Sequence, residues 1–321
     1  MSEIGTMLAD TAERLFTTHA EAIEQAATSG EWPAAAWETI EESGLPLALV
    51  PEDHGGFGVP TAEALALVRL TGTHALALPL AETMIANAAL AAAGLPLGDG
   101  AIGLAADPQT PVPWGRFVQT VVAIEAGQLH RASSPRVTRE GKNIAGAPRD
   151  LLDLAEGPSA PFPAGTLLAW AALARALQMA GALDRVLQLT VDHVTTRVQF
   201  GRPLAKFQAI QQELAKLAGE VAAASAAADQ AVDAYVAGGD ITFAVAVART
   251  RIGEAASKAS AIAHQLHGAI GFTREHVLHR YTTALWAWRD EYGTQRQWTL
   301  VLGKRALAAG PDGYWPMVVA A

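Results

Sequence analysis

A mainly α fold with one small β module is what this sequence predicts, and three observations carry that expectation. Half of the residues are apolar but only 6% are aromatic, and alanine dominates the second half. That balance suits closely packed helices rather than a sandwich or barrel. Long stretches at both ends of the chain repeat apolar residues at helical spacing, whereas residues 94–165 carry many of the Pro and Gly residues and a shorter apolar pattern. With 321 residues there is room for two or three domains. The expected division is a helical domain over 1–95, a β domain over 96–163 and a helix bundle over 164–321.

In chain order, residues 3–27 place Ile4, Leu8, Ala12, Leu15, Ile23 and Ala26 on one helical stripe. A short helix fits 33–43, with Pro33 in the first turn, where a missing N–H costs little. The apolar run Leu45–Val50 closes on Pro51-Glu52-Asp53-His54-Gly55-Gly56-Phe57-Gly58, whose glycines suit a tight turn. Helices are expected over 61–73 and 79–94. Strands are expected over 102–106, 117–124, 128–132 and 137–144, followed by a Pro-rich linker over 157–163. Five bundle helices follow, over 166–197, 206–236, 240–267, 275–290 and 295–308. Gly238-Gly239 ends the second of these, and Asp240 caps the third.

Charge and composition exclude several functions. The net charge of −9 comes without a basic stripe, which argues against nucleic-acid binding. There is no cysteine, so disulfides, thiolate metal sites and a Cys nucleophile are excluded. The first residues lack a basic segment followed by an apolar core. The most apolar stretch, 162–174, is short for a bilayer and runs into Arg175. A cytoplasmic protein without a membrane span is expected.

Three segments carry chemistry. Arg197-Val198-Gln199-Phe200-Gly201, with Phe207-Gln208-Ala209-Ile210-Gln211 after it, joins two long helices. Gln265-Leu266-His267-Gly268-Ala269-Ile270-Gly271 ends a third helix. Taken singly, Arg197 reads as a cation at a helix C-terminus and Phe200 as a core ring. Together with the Pro51–Gly58 turn, in this order and inside these helices, the segments resemble the acyl-CoA dehydrogenase family over nearly the whole chain. The resemblance implies the family's fold, here with a shortened middle β domain. It also implies FAD, with contacts at Arg197, Gln199, Phe200, Phe207, Gln208, Gln265, Gly268, Ala269 and Thr294. Arg197 would meet the pyrophosphate, and Gln265 and Gly268 would let one subunit approach the nucleotide held by another. The implied reaction is α,β-desaturation of an acyl-CoA thioester, in which a base takes the α-proton and the flavin accepts the β-hydride. An electron-transfer flavoprotein is an implied redox partner.

The pattern also departs from the family. Nothing in 95–165 resembles the family's flavin-supporting Tyr-x-x-Thr-Glu-Pro-type loop. The residue before Gly293-Thr294, where the family carries its catalytic carboxylate, is Tyr292. A phenol is a poor base for a thioester α-proton at neutral pH. The alternative family position, on the first bundle helix, is Ala171. Glu291, one residue before Tyr292, is the remaining candidate base; its plainer reading is a helix-end charge or a partner for Arg289. The chain therefore resembles the incomplete partner in family members that work as unlike pairs. It is expected to act in a homo-oligomer or beside a full-length dehydrogenase subunit, with a catalytically silent scaffold that completes a partner's FAD site as the alternative. His264/His267 and His276/His279 are i,i+3 pairs without a third ligand in sequence, so no metal is expected.

Overall fold

The computed structural model describes residues 2–106, 109–238 and 240–319, and it forms two compact units, Met1–Ala174 and Arg175–Ala321. The boundary falls inside one long helix. In the first unit, α1 (Glu3–Ser29) buries Leu8, Ala12, Ile23 and Ala26 of the expected stripe, while Ile4 and Leu15 are half-buried and Phe16 takes the core position beside Leu15. The Ser2 hydroxyl caps it by accepting from Gly5 N at 3.1 Å. The helices α2 (Ala34–Glu42) and α3 (Thr61–Thr73) follow as expected, and α4 (Leu80–Ala92) is buried on nearly every side. The apolar run after α2 forms a single 3-10 turn over Leu45–Leu47. At Gly56, any Cβ would lie 1.7 Å from the Val50 carbonyl oxygen, so the close backbone approach there requires glycine.

The β module is richer than the sequence suggested. β1 (Ile102–Ala105), β3 (Thr120–Glu125), β4 (Gln128–Ser133) and β7 (Ser159–Pro161) form one sheet in the order β1-β3-β4-β7, with β1 and β3 parallel. β2 (Val112–Pro113), β6 (Arg149–Asp153) and β5 (Arg136–Arg139) form a second. The expected Pro-rich linker thus contains a strand: a proline's missing N–H is tolerated at a sheet edge, and Ser159–Pro161 pairs there with β4. The expected strand over 137–144 stops at Arg139, after a bulge against β6. Strands β2 and β6 escaped notice because a two-residue strand and the acidic run Arg149–Asp153 carry little alternation.

Asp150 organises the second sheet. It is fully buried, and its carboxylate accepts from Arg116 Nη2 (2.6 Å), Arg116 Nε (3.1 Å), Arg116 N (2.9 Å) and Gly141 N (3.1 Å). The bidentate fork joins the central strand β6 to the loop that follows β2. The hydrogen bonds to Asp150 raise the Arg116 guanidinium above its usual pKa, helped by the charges of Asp150 and Glu140 and opposed by burial.

In the second unit, the rest of α5 (Thr166–Thr196) packs with α6 (Gln208–Ala237), α7 (Thr242–His267), α8 (Leu278–Arg289) and α9 (Gln295–Val319). Alanines at 224, 227, 228 and 231 on α6 and at 248, 255, 256, 259 and 263 on α7 are buried, which lets the helices pack closely. Asp240 Oδ1 accepts from Thr242 N at 2.8 Å, but α7 starts later than expected, with Ile241 at its N-cap and Asp240 one residue before it; Gly239 lies outside the described residues. α8 starts later than expected, at Leu278. α9 continues past residue 308, with a break at Gly310. By length and composition, α5 could cross a membrane, so the shortness of 162–174 was not the deciding argument. Burial is: 83% of its apolar window lies inside the fold, which makes it a core helix. Asp150→Ala removes the bidentate partner of Arg116 and leaves it only Glu140 and the Gly141 carbonyl, so it should lower unfolding free energy by about 3 kcal/mol, read as a fall in urea midpoint.

Candidate functional site

The turn from α8 into α9 carries Glu291, Tyr292, Gly293 and Thr294, and one residue of α7 holds it. Arg249 is buried, and its Nη2 donates to the carbonyls of Trp288 (3.2 Å), Arg289 (2.9 Å), Glu291 (2.8 Å) and Gly293 (3.0 Å). Two hydrogens serve four acceptors, so the bonds are shared three-centre bonds. Burial, then repulsion from Arg175, pushes this guanidinium down to about 10, still fully protonated at neutral pH. A permanent cation is thus enclosed by carbonyl dipoles at the end of a helix, where negative charge accumulates.

Within this turn Glu291 faces inward. It is 5% exposed, and its Oε2 accepts from Arg175 Nε at 2.8 Å and lies 2.5 Å from Nη2. Arg175 also donates to Gln178, and its guanidinium lies 5.7 Å from the Trp288 ring and 5.3 Å from the Tyr292 ring. Neither plainer reading of Glu291 fits, since it is no exposed helix-end charge and Arg289 is not its partner. That residue instead bonds Ser257 Oγ at 2.9 Å and lies 3.7 Å from Asp290, because inward rotation of Glu291 aims it at α5.

Tyr292 is buried with φ +52°, and Gly293 follows with φ +92°. Two consecutive left-handed residues reverse the chain, and the non-glycine one carries strain of about 1–3 kcal/mol. The Tyr292 carbonyl accepts from Trp298 Nε1 at 3.1 Å, and a Cβ on Gly293 would sit 2.5 Å from that nitrogen. Thr294 and Gln297 form a reciprocal cap: Thr294 N donates to Gln297 Oε1 (2.7 Å), and Gln297 N donates to Thr294 Oγ1 (3.3 Å).

The second group surrounds the link between α5 and α6. Val198–Gln199 (β8) and Arg202–Pro203 (β9) form a small hairpin. Its tip holds Phe200 91% exposed, with φ +52°. The Arg202 guanidinium lies 4.2 Å from the Phe207 ring centre, and the Phe200 and Phe207 rings meet edge-on at 6.1 Å. Arg197, Gln199 and Gln208 are exposed around this platform. Phe200 is therefore no core residue: the hairpin forces its side chain outward.

The third group is the end of α7. Gln265 and Ala269 are exposed, and Gly268 has φ +66° and ψ −145°, with open space where a Cβ would stand. Phe272 and Ile270 are 73% and 41% exposed. Stacking of His193 on His267, with ring centres 4.4 Å apart, connects this end to α5 one turn before Arg197. The Arg197 and Gln265 segments are thus neighbours within one unit. Glu291 and Thr294 belong to the separate turn.

The acyl-CoA dehydrogenase N-terminal domain model matches residues 2–96, and the C-terminal domain model matches 164–300. "Acyl-CoA dehydrogenase IpdE2" of Mycobacterium tuberculosis is 35% identical over 289 residues, covering 86% of this chain and 88% of that protein. The chain belongs to the acyl-CoA dehydrogenase family. It is an oxidoreductase of that class, and the family uses FAD. Among solved structures, a Tcur3481–Tcur3483 steroid ACAD variant superposes with a TM-score of 0.84 at 24% identity, over 94% of this chain and 97% of that one. The ChsE4–ChsE5 complex from M. tuberculosis gives 0.80 at 22% identity, over 97% and 99%. Both carry the same fold.

The donors present suit the family's flavin nucleotide. Arg197 and Arg202 offer fixed cations, and Gln199, Gln208 and Gln265 offer amides. Phe200 offers an exposed ring face, and Gly268 leaves its backbone open to approach. Sequence reading missed Arg175, Arg249 and His193. The visible signal for Arg175 was a lone charge in an apolar, alanine-rich helical stretch, which needs a buried partner, whereas Arg249, two residues before Arg251, carried no such signal. Arg249→Met should cost about 3 kcal/mol in urea unfolding, because the buried carbonyls lose their shared donor. Gly293→Ala should cost about 2 kcal/mol by the same measurement.

Proposed function

We propose that this chain is the FAD-holding, base-deficient subunit of a hetero-oligomeric acyl-CoA dehydrogenase, with a full-length partner supplying the proton-abstracting carboxylate. The commitment of Glu291 to Arg175 carries this reading. Proton abstraction needs a carboxylate free to meet the substrate. Here the only acid beside Tyr292 at the family's base position is enclosed in an ion pair, and Ala171 has no proton-accepting group. Glu291 is better understood as a tether for the turn than as the base.

Arg197 and Arg202 would neutralise the FAD pyrophosphate, and Phe200 and Phe207 would present flat apolar faces to the nucleotide. Gln199, Gln208 and Gln265 would supply amide contacts, while Gly268 and Ala269 leave room for close backbone approach. Thr294 fits less directly, since its hydroxyl and N–H already serve the α9 cap. When bound, FAD supplies the hydride-accepting half of the desaturation. The three-domain division at 95/96 and 163/164 belongs to this proposal, as does a cytoplasmic setting.

The exposed Val198, Phe200, Ile270 and Phe272 support a partner that covers this end of the bundle. The substrate class that fits best is a steroid-derived acyl-CoA, the class named for the Tcur3481–Tcur3483 protein, and the ChsE4–ChsE5 complex supports pairing of unlike chains. Electrons would leave through an electron-transfer flavoprotein. The silent-scaffold reading is favoured by the same Arg175–Glu291 pair; it differs in assigning this chain no part in turnover.

Co-expression with a full-length dehydrogenase should yield a yellow complex that bleaches on adding its acyl-CoA, whereas FAD supplied to the chain alone should stay oxidised when the same acyl-CoA is added. A chain that reduces FAD by itself would contradict the base-deficient reading. In the complex, Arg197→Ala should weaken FAD binding about 10–100-fold, the loss of a charge-assisted contact. Unchanged affinity would remove Arg197 from the cofactor site.

A further inference from the structure

We propose that His193, His267 and His276 form a site for a zinc-class divalent ion, pinning the ends of α5 and α7 to the segment entering α8. Each ring offers one nitrogen, and the three nitrogens lie within 4.8 Å of one another. His267 provides the decisive observation. It is 5% exposed, and its Nδ1 lies 2.8 Å from the Ala263 carbonyl oxygen. A carbonyl only accepts, so Nδ1 carries the proton and the lone pair is on Nε2. That Nε2 is buried and has no hydrogen-bond partner. An unsatisfied buried nitrogen is costly, and a metal bond satisfies it. A backbone carbonyl fixing the opposite ring nitrogen is the usual support for a ligating histidine.

The other two ligands are partly exposed and able to move. A tetrahedral zinc site with bonds of about 2.0–2.1 Å sets its nitrogens roughly 3.3 Å apart, so the three must draw in by about 1 Å. His193 must turn out of its stack on His267. His276 Nδ1 accepts from Leu278 N at 3.2 Å, a long turn contact that must open if that nitrogen ligates. Burial is the main cause holding all three imidazoles below their ordinary pKa, with His267 pushed down to about 4. Their lone pairs are therefore available at neutral pH.

No carboxylate belongs to the cluster, and Arg197 lies one turn beyond His193. Three imidazoles without an anionic oxygen suit zinc and its neighbours, not magnesium or calcium. The fourth position is left for water. Such an ion would cross-link the segments bearing Arg197 and Gln265, although the site itself does not depend on the FAD assignment.

The test uses the full-length chain, purified without a polyhistidine tag, stripped with chelator and titrated with zinc chloride by calorimetry. A second titration follows tetrahedral cobalt absorption. One ion per chain is expected, with affinity at least about 100-fold weaker in His193→Ala and in His276→Ala. Both replaced side chains are partly exposed, so the variants should stay folded, as circular dichroism would verify. Zinc should raise the melting temperature of the wild type and not of either variant. Substoichiometric binding, or binding unchanged in the two variants, would overturn the site whatever the chain does with FAD.

Discussion

Arg249 is the interaction on which the second unit depends. A permanently charged group inside a helix bundle is tolerated only where fixed dipoles replace water. Here the dipoles are four carbonyls of the turn between α8 and α9. Meeting that requirement fixes the chain path through Tyr292 and Gly293, both left-handed, and seats Trp298 over the reversal. The same path turns Glu291 inward to Arg175. One buried cation therefore decides what the following acid can do.

That geometry separates two properties the family normally combines. The groups proposed to face the cofactor lie on the α5–α6 hairpin and the α7 end, where aromatic rings and amides stay exposed. The position normally reserved for the base has become part of the core. Exposed rings near the proposed nucleotide site and a sealed base position are a consistent pair in a subunit that borrows its catalyst. They would be at odds in an enzyme meant to work alone.

Much of the fold was legible in the sequence. Long helices such as α1 and α5 repeat apolar residues over many turns, the Pro- and Gly-rich middle set the β module apart, and the segments Arg197–Gly201 and Gln265–Gly271 carried the family resemblance. Strand β7 was not legible, because Pro158, Pro161 and Pro163 read locally as linker, while its pairing with β4 is a tertiary fact. The contacts of Arg175 and Arg249 were hidden for the same reason: their partners are 116 and about 40 residues away. Phe200 read as core when taken alone, since only the hairpin shows that it points out. The histidine cluster was missed because helical spacing pairs His264 with His267, whereas the structure joins His267 to His193 and His276 across three segments.

The central claim is that Glu291 is a structural tether, and a double-mutant cycle with Arg175→Met and Glu291→Gln tests it most directly. Each single change should lower unfolding free energy by about 3 kcal/mol. The double change should cost less than their sum by about 2 kcal/mol, the signature of a coupled pair. Additivity within about 0.5 kcal/mol, with Glu291→Gln neutral to stability yet abolishing turnover in the assembled dehydrogenase, would contradict the account and make Glu291 the base.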